Sequence, residues 1–254
     1  VWRQIGDRGQ EAISVCNIGE SWLELGEPTL ARRHLEEGAR LALACGNLIP
    51  RSAALSNLSV LARRPGNGGR AVSLARRSIE AAVATSAPQF EAIGLQQLGE
   101  AEHTVGRHAA AARAFDAVRA PAVQHQRPEP PDALGGLAAL ALAQGDVPGA
   151  LRHVLQVLEL DAGGSMAQRS LNPRRLALIC HRVLSSSGDA RATAWLRRAH
   201  DELLAVAATV SDATLREGFL NNIPDHRAIL AAWALHEQEG AAGTGSPAQQ
   251  PAVG

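Results

Sequence analysis

The stretch LELGEPTLARRHLEEG, residues 23–38, places a glycine at Gly26, an alanine five residues on at Ala31, and a second glycine seven beyond that at Gly38. The spacing returns along the chain. Gly26, Gly66, Gly106, Gly145 and Gly188 follow one another at steps of 40, 40, 39 and 43 residues. Ala31, Ala71, Ala111 and Ala150 stand five residues after the first four, and the fifth copy has Thr193 between Ala192 and Ala194. Seven residues before each of the first four stands another small residue: Gly19, Ser59, Gly99 and Ala138. Small residues at fixed offsets on a constant period mark an array of stacked units rather than one globular core.

Each copy reads as two helices and a tight turn. In the first, Ile18, Trp22 and Leu25 fall on one face at helical spacing. Gly26 then ends the helix, because glycine alone takes the left-handed conformation at no steric cost. Pro28 suits the first turn of the next helix, where its missing N–H is not needed. Small side chains at Gly19, Ala31 and Gly38 allow neighbouring helix axes to approach closely. The first helices are expected near 10–25, 49–64, 88–105, 132–144 and 174–187, and the second helices near 28–45, 69–85, 108–119, 147–160 and 190–208. The pairs therefore span about 10–45, 49–85, 88–119, 132–160 and 174–208. RAPAVQHQRPEPPD (119–132) and DAGGSMAQRSLNP (161–173) read as loops. A terminal cap covers 211–238: Pro224 opens its last helix, and Phe219, Leu220, Ile223, Ile229, Leu230 and Trp233 supply the apolar surface that closes an array's end. Residues 239–254 carry little to bury and read as a disordered tail.

Composition agrees with an all-α fold. Of 254 residues 46% are hydrophobic but only 3% aromatic, so alanine and leucine dominate the core. There is no lysine, which removes a P-loop lysine and Schiff-base chemistry together. The 25 basic and 25 acidic residues cancel, so no global field draws nucleic acid to the surface and direct nucleic-acid binding is not expected. Cys16, Cys45 and Cys180 are far apart and read as buried small hydrophobes of a cytoplasmic protein. No apolar run spans a bilayer. The nine histidines show no metal-ligand spacing, no catalytic constellation is visible, and neither metal nor cofactor is expected.

The small-x2-aromatic-x3-Gly-x4-Ala pattern of Gly19, Trp22, Gly26 and Ala31 resembles the tetratricopeptide repeat. LGEAEHTVGRHAAAARAF repeats it with Glu102 in the aromatic place, and the period is longer than the usual 34. The resemblance implies a right-handed α-solenoid of five tetratricopeptide-like helix pairs with a capping helix pair. RATAWLRRAH (191–200) and GFLNNIPDHR (218–227) are similar to the C-terminal region of large bacterial regulators, in which a P-loop ATPase precedes such an array behind a transcriptional-activator or nucleotide-cyclase domain. No Walker, cyclase or winged-helix pattern is present, so no enzymatic residue carries over. The resemblance implies a protein- or peptide-binding regulatory arm of a signal-transduction regulator. Its partner could be an ATPase domain of the same polypeptide. A metabolite sensor and a stand-alone adaptor are the alternatives.

In such arrays the first helices line the concave groove. Their polar residues form a candidate binding row: Asn17, Glu20 and Glu24, then Asn57, Arg63 and Arg64, then Gln96, Gln97, Glu100 and His103. Asn17 and Asn57 match the family's groove asparagines, whose amides both donate and accept to a peptide backbone. The lysines of the family's carboxylate clamp are missing. Arginine doublets at 32–33, 63–64, 76–77, 174–175 and 197–198 could form a stripe for an anion or acidic partner, but are read first as partners of nearby acids on solvated helix faces, with Glu36 and Glu37 four residues after the first.

Overall fold

The computed structural model describes residues 2–63, 67–162 and 169–244, and among these every regular element is an α-helix. A short α1 (Trp2–Ile5) precedes five antiparallel pairs. They are α2 (Arg8–Glu24) with α3 (Pro28–Ala44), α4 (Leu48–Ala62) with α5 (Gly68–Val83), α6 (Pro88–Thr104) with α7 (His108–Gln124), α8 (Pro131–Ala143) with α9 (Val147–Ala162), and α10 (Pro173–Ser186) with α11 (Ala192–Thr209). The cap is α12 (Ala213–Asn221) and α13 (Pro224–Thr244). Helices α2, α4, α6, α8, α10 and α13 pack successively on one another as an inner row, with the second helices outside it. The result is the right-handed tetratricopeptide-like solenoid expected from the repeat.

One local device turns the chain between helices. After α2 the Glu27 amide donates to the Trp22 carbonyl at 2.8 Å, across Gly26 at φ +76°. The same backward bond closes α3 across Gly46, α6 across Gly106, α8 across Gly145 and α10 across Gly188. It satisfies a helix-end carbonyl and requires one left-handed residue. Ser86 and Gln126 take that conformation without being glycine, at φ 51° and 49°. Gly66 lies outside the described residues.

The small residues do what their spacing predicts. A Cβ on Gly38 would lie 2.5 Å from Cys16 Sγ and 3.0 Å from its backbone nitrogen, and one on Gly19 would meet Leu35 at 2.7 Å. Phe115 is fully buried, its ring wedged against both Gly99 of α6 and Gly136 of α8. With Leu137 and Leu140 it forms a small cluster separate from an N-terminal core (Leu35, Leu55, Leu58, Leu61) and from a C-terminal one (Val154, Leu176, Leu184, Leu203), into which Phe219 and Ile229 of the cap are sealed. Leu220, Ile223 and Leu230 pack on the same core, and Trp233 stacks on His200 at 4.6 Å.

Four expectations need correction. Helix α7 does not stop near 119 but runs through Pro121 to Gln124. An exposed proline in the last turn forfeits only one backbone bond there, and the loop shrinks accordingly. Helix α13 continues past 238 to Thr244, because alanine sustains helix through Gly240; residues 245–254 lie outside those described. Ile18 is 45% exposed rather than facing the core with Trp22. Cys45 is exposed, whereas Cys16 and Cys180 are buried, with burial pushing their thiols up to about 11 and about 12.

The solenoid completes enough of a turn for its ends to meet. Asn222 Nδ2 of the cap donates to the Gly26 carbonyl at 3.0 Å, and a Cβ on Gly26 would stand 2.4 Å from the Gly218 carbonyl oxygen. The α2–α3 turn is thus seated against the C-terminal cap. This makes Gly26 different from Gly145, which has the same left-handed φ and nothing within 4 Å of a Cβ. Gly145→Ala should cost about 1 kcal/mol, the left-handed strain alone. Gly26→Ala should cost about 1–3 kcal/mol more and enlarge the particle, because the carbonyl contact cannot relax without parting the seam. Chemical denaturation and small-angle scattering of the two variants check this.

Candidate functional site

The meeting of the array's ends borders a cavity of about 1240 Å³, open to solvent on part of its surface and lined by the inner helices and the cap. Eight of the ten row residues line it: Glu20, Glu24, Asn57, Arg63, Gln96, Gln97, Glu100 and His103. Asn17 does not. It lines a smaller, largely apolar cavity of about 370 Å³ between α2 and α4, together with Ile13, Ile49, Pro50 and Phe90. Glu20 and Asn57 belong to both cavities, so the two are contiguous. Arg64 lies outside the described residues.

The row is incomplete without the C-terminal half. Asp132 of α8, Arg174 and Arg175 of α10, and Phe219, Asn222, Asp225 and His226 of the cap complete the wall. Two signals in the sequence pointed to them, the doublet at 174–175 and the segment GFLNNIPDHR. Reading the doublets as pairs on solvated helix faces misplaced this one, because its partners are distant in sequence. Arg175 Nη2 donates to Glu100 Oε2 and Nη1 lies 3.5 Å from Asp225 Oδ2, so one guanidinium ties α6 to α13 across the solenoid. Other arginines also bridge elements: Arg76 and Arg107 both reach Glu102, at 2.9 and 3.2 Å, and Arg198 reaches Asp161 at 2.6 Å. Glu36 receives Arg70 of the next pair, and Glu37 receives Arg40. Glu102, in the repeat's aromatic place, is 1% exposed. Its burial is made tolerable by those two cations.

Around Arg175 the wall is knit by amides. Arg63 Nη1 donates to Gln97 Oε1 at 2.7 Å, and Gln96 Nε2 donates to the Asp132 carbonyl at 3.2 Å. The Asp132 carboxylate receives Ser170 Oγ at 2.9 Å and the Leu171 amide at 2.7 Å, which anchors the chain entering α10. Burial raises the Asp132 pKa, and these bonds offset part of the rise. Burial likewise lowers that of Arg63, against the opposing pull of Glu100. Some groups remain unmatched. Gln96 Oε1 and Arg175 Nε are buried with no hydrogen-bond partner among the described residues. Glu20 and Glu24, one turn apart on α2, make no ion pair there, and burial followed by the charge of Glu20 raises the Glu24 pKa.

His226 is held neutral. Its Nδ1 is 2.8 Å from the Phe219 carbonyl, which can only accept, so Nδ1 carries the proton. Its Nε2 therefore accepts from Arg174 Nε, at 3.2 Å. Burial lowers the His226 pKa and the nearby Arg174 charge adds to this. The described residues contain no cluster of three or more metal-ligating side chains, and no described helix is long and apolar enough to cross a membrane.

No family model and no curated protein sequence matches the chain. Among solved structures it is similar to the crystal structure of a Rap protein complexed with Competence and Sporulation Factor. The TM-score is 0.62 at 13% sequence identity, over 94% of this chain and 67% of that one. At that identity the likeness is one of fold, and it places this chain among tetratricopeptide-like helical-repeat structures.

The neutral His226 has a pH consequence. A histidine whose folded pKa lies below the ordinary value of about 6.5 contributes stability that is full above that value and is lost as pH falls through the depressed one. The half-buried His103 and His153, also lowered by burial, act in the same direction, whereas the raised Glu24 and Asp132 oppose it. Comparison with His226→Gln isolates the cap. Between about pH 7.5 and 5.5 the wild type should lose more unfolding free energy than the variant, as read by chemical denaturation at each pH.

Proposed function

We propose that this chain is a protein- or peptide-binding regulatory arm that holds an extended segment in its central cavity. The observation that carries the reading is the inner cavity, lined by polar side chains from every inner helix of the array and from the cap. Amides at Asn57, Gln97 and Asn222 suit the alternating donors and acceptors of an extended backbone, and the adjoining apolar cavity suits a side chain from it. The structural neighbour was crystallised with Competence and Sporulation Factor bound, which supports a ligand-binding role for this architecture.

A segment in the cavity touches α2 and the cap at once, the two sides of the seam. Binding then shifts the population between closed and parted seams, and the array's change of curvature is the signal. In a bacterial signal-transduction regulator that change would reach an ATPase domain of the same polypeptide or a separate partner. Support for this setting is the resemblance of RATAWLRRAH and GFLNNIPDHR.

Affinity selection from a pool of random-sequence hexapeptides tests the reading. The wild type should retain peptides. Asn57→Ala should retain about fivefold to tenfold less at unchanged melting temperature, the loss of one hydrogen bond or so to the ligand. Equal retention by the variant would sink the cavity assignment. Stabilisation by members of a metabolite panel, with no peptide retained, would favour a small-molecule sensor.

A further inference from the structure

The cavity wall carries charges of both signs with no counter-ion in contact among the described residues: Arg174 on α10, and the solvent-exposed Glu20 and Glu24 on α2. Arg174 projects from α10 with Nε fixed by His226 and its guanidinium over the Phe219 ring, 5.7 Å from the centroid. Its terminal nitrogens make no hydrogen bond or ion pair among the described residues, although burial makes its charge costly. A half-buried guanidinium held by its Nε, with its outer fork free, is preorganised to grip a carboxylate through two parallel bonds. Glu24 and Glu20 stand on α2. Arg174 feels the charge of Glu202 first and of Glu24 second, touching neither, while burial and then Glu20 raise the Glu24 pKa. Arg175 is different, because Glu100 and Asp225 already neutralise it. Beside these charges Gln96, 5% exposed, leaves its buried Oε1 without a partner.

A doubly charged anion does not fit, because the lining carboxylates of Glu20, Glu24, Glu100, Asp132 and Asp225 outnumber its guanidiniums. A cation alone would leave Arg174 unmatched. The geometry points to a dipolar occupant: a peptide segment whose carboxylate sits on Arg174 and whose ammonium or guanidinium sits between Glu20 and Glu24. This inference rests on the proposed binding role and names the chemistry of the ligand. The charges also fix the ligand's direction in the cavity, since reversing it would set like charges together.

The test uses the hexapeptide pool with free ends, with acetylated N-termini and with amidated C-termini. Peptides retained by the wild type should be enriched in one acidic and one basic group. If the chain ends are the source, acetylation or amidation removes retention; if side chains are, the enrichment appears as Asp or Glu with Lys or Arg. Arg174→Gln should erase the acidic preference and keep the basic one, and Glu20→Gln with Glu24→Gln should do the reverse. Each should weaken binding about tenfold or more, as expected for a lost charge-assisted contact. Arg33→Gln, on the exposed outer face, should change neither. Retained peptides with no charge preference, or with a preference unchanged in the variants, would overturn the dipolar site while leaving the peptide-binding reading intact.

A second measurement separates the opposite failure. Melting is followed in a series of straight-chain amino acids with the amine at the end remote from the carboxylate. A rise in melting temperature that vanishes for their N-acetyl and methyl-ester forms, and in Arg174→Gln, would uphold the dipolar site even with no peptide retained. No rise, together with no peptide retained, would overturn both readings.

Discussion

The structure depends on one backbone constraint: in four of the five pairs the first helix ends on a residue in the left-handed conformation, and the next helix then folds back within a side chain's reach of the first. The backward bond across Gly26, Gly106, Gly145 and Gly188 fixes the first part. Glycine at 19, 38, 99 and 136 fixes the second, because at these points a Cβ would enter a neighbouring side chain. With a short interhelix distance repeated at a constant period, curvature accumulates in one sense. The first turn then arrives at the cap, and Gly26 serves twice, once as a helix stop and once as the smallest surface against which Gly218 can seat. The contact gives the inner groove a wall on its far side.

Closure changes the electrostatics of the inner face. On an open array Arg174 and Arg175 would be ordinary solvated charges, worth little to stability, as the exposed Glu20 and Glu24 remain. Brought around one cavity, some become cross-braces, as Arg175 does between Glu100 and Asp225. Others, such as Arg174 and Glu24, are brought near one another without contact. The braces stabilise the closed form and the unmatched charges give it something to bind. A ligand that satisfies them links occupancy of the cavity to the state of the seam, which is the coupling a regulatory arm requires.

The repeat, the pairing and the glycine turns at 26, 106, 145 and 188 were legible in the sequence, because small residues at fixed offsets carry a local physical meaning wherever they occur. Eight of the ten residues in the candidate row line the cavity for the same reason: helical spacing assigns a face. What spacing could not supply was contact between distant pairs. Nothing local ties Arg175 to Glu100, 75 residues away, or Asn222 to Gly26, 196 away. The arginine doublets were therefore read with the nearest acids, although acids on other helices are the partners of Arg175 and Arg76. Asn17 went astray for a related reason, since the face of α2 it occupies turns toward α4 and the smaller cavity. Ser86 and Gln126, holding left-handed turns without glycine, carry no sequence signal at all.

The claim on which the rest stands is that the first turn and the cap touch in solution. Cysteines introduced by Glu27→Cys and Glu217→Cys, in a Cys45→Ser background, place two reactive thiols on opposite sides of the seam, about 190 positions apart in sequence, and leave the Asn222 bond in place. The buried Cys16 and Cys180, with raised thiol pKa values, stay silent. A short bis-maleimide should convert the double variant rapidly to an internally crosslinked monomer, at a rate independent of protein concentration. Modification of both thiols with no internal crosslink would show the ends apart, and the cavity, its braces and its proposed ligand would fall together.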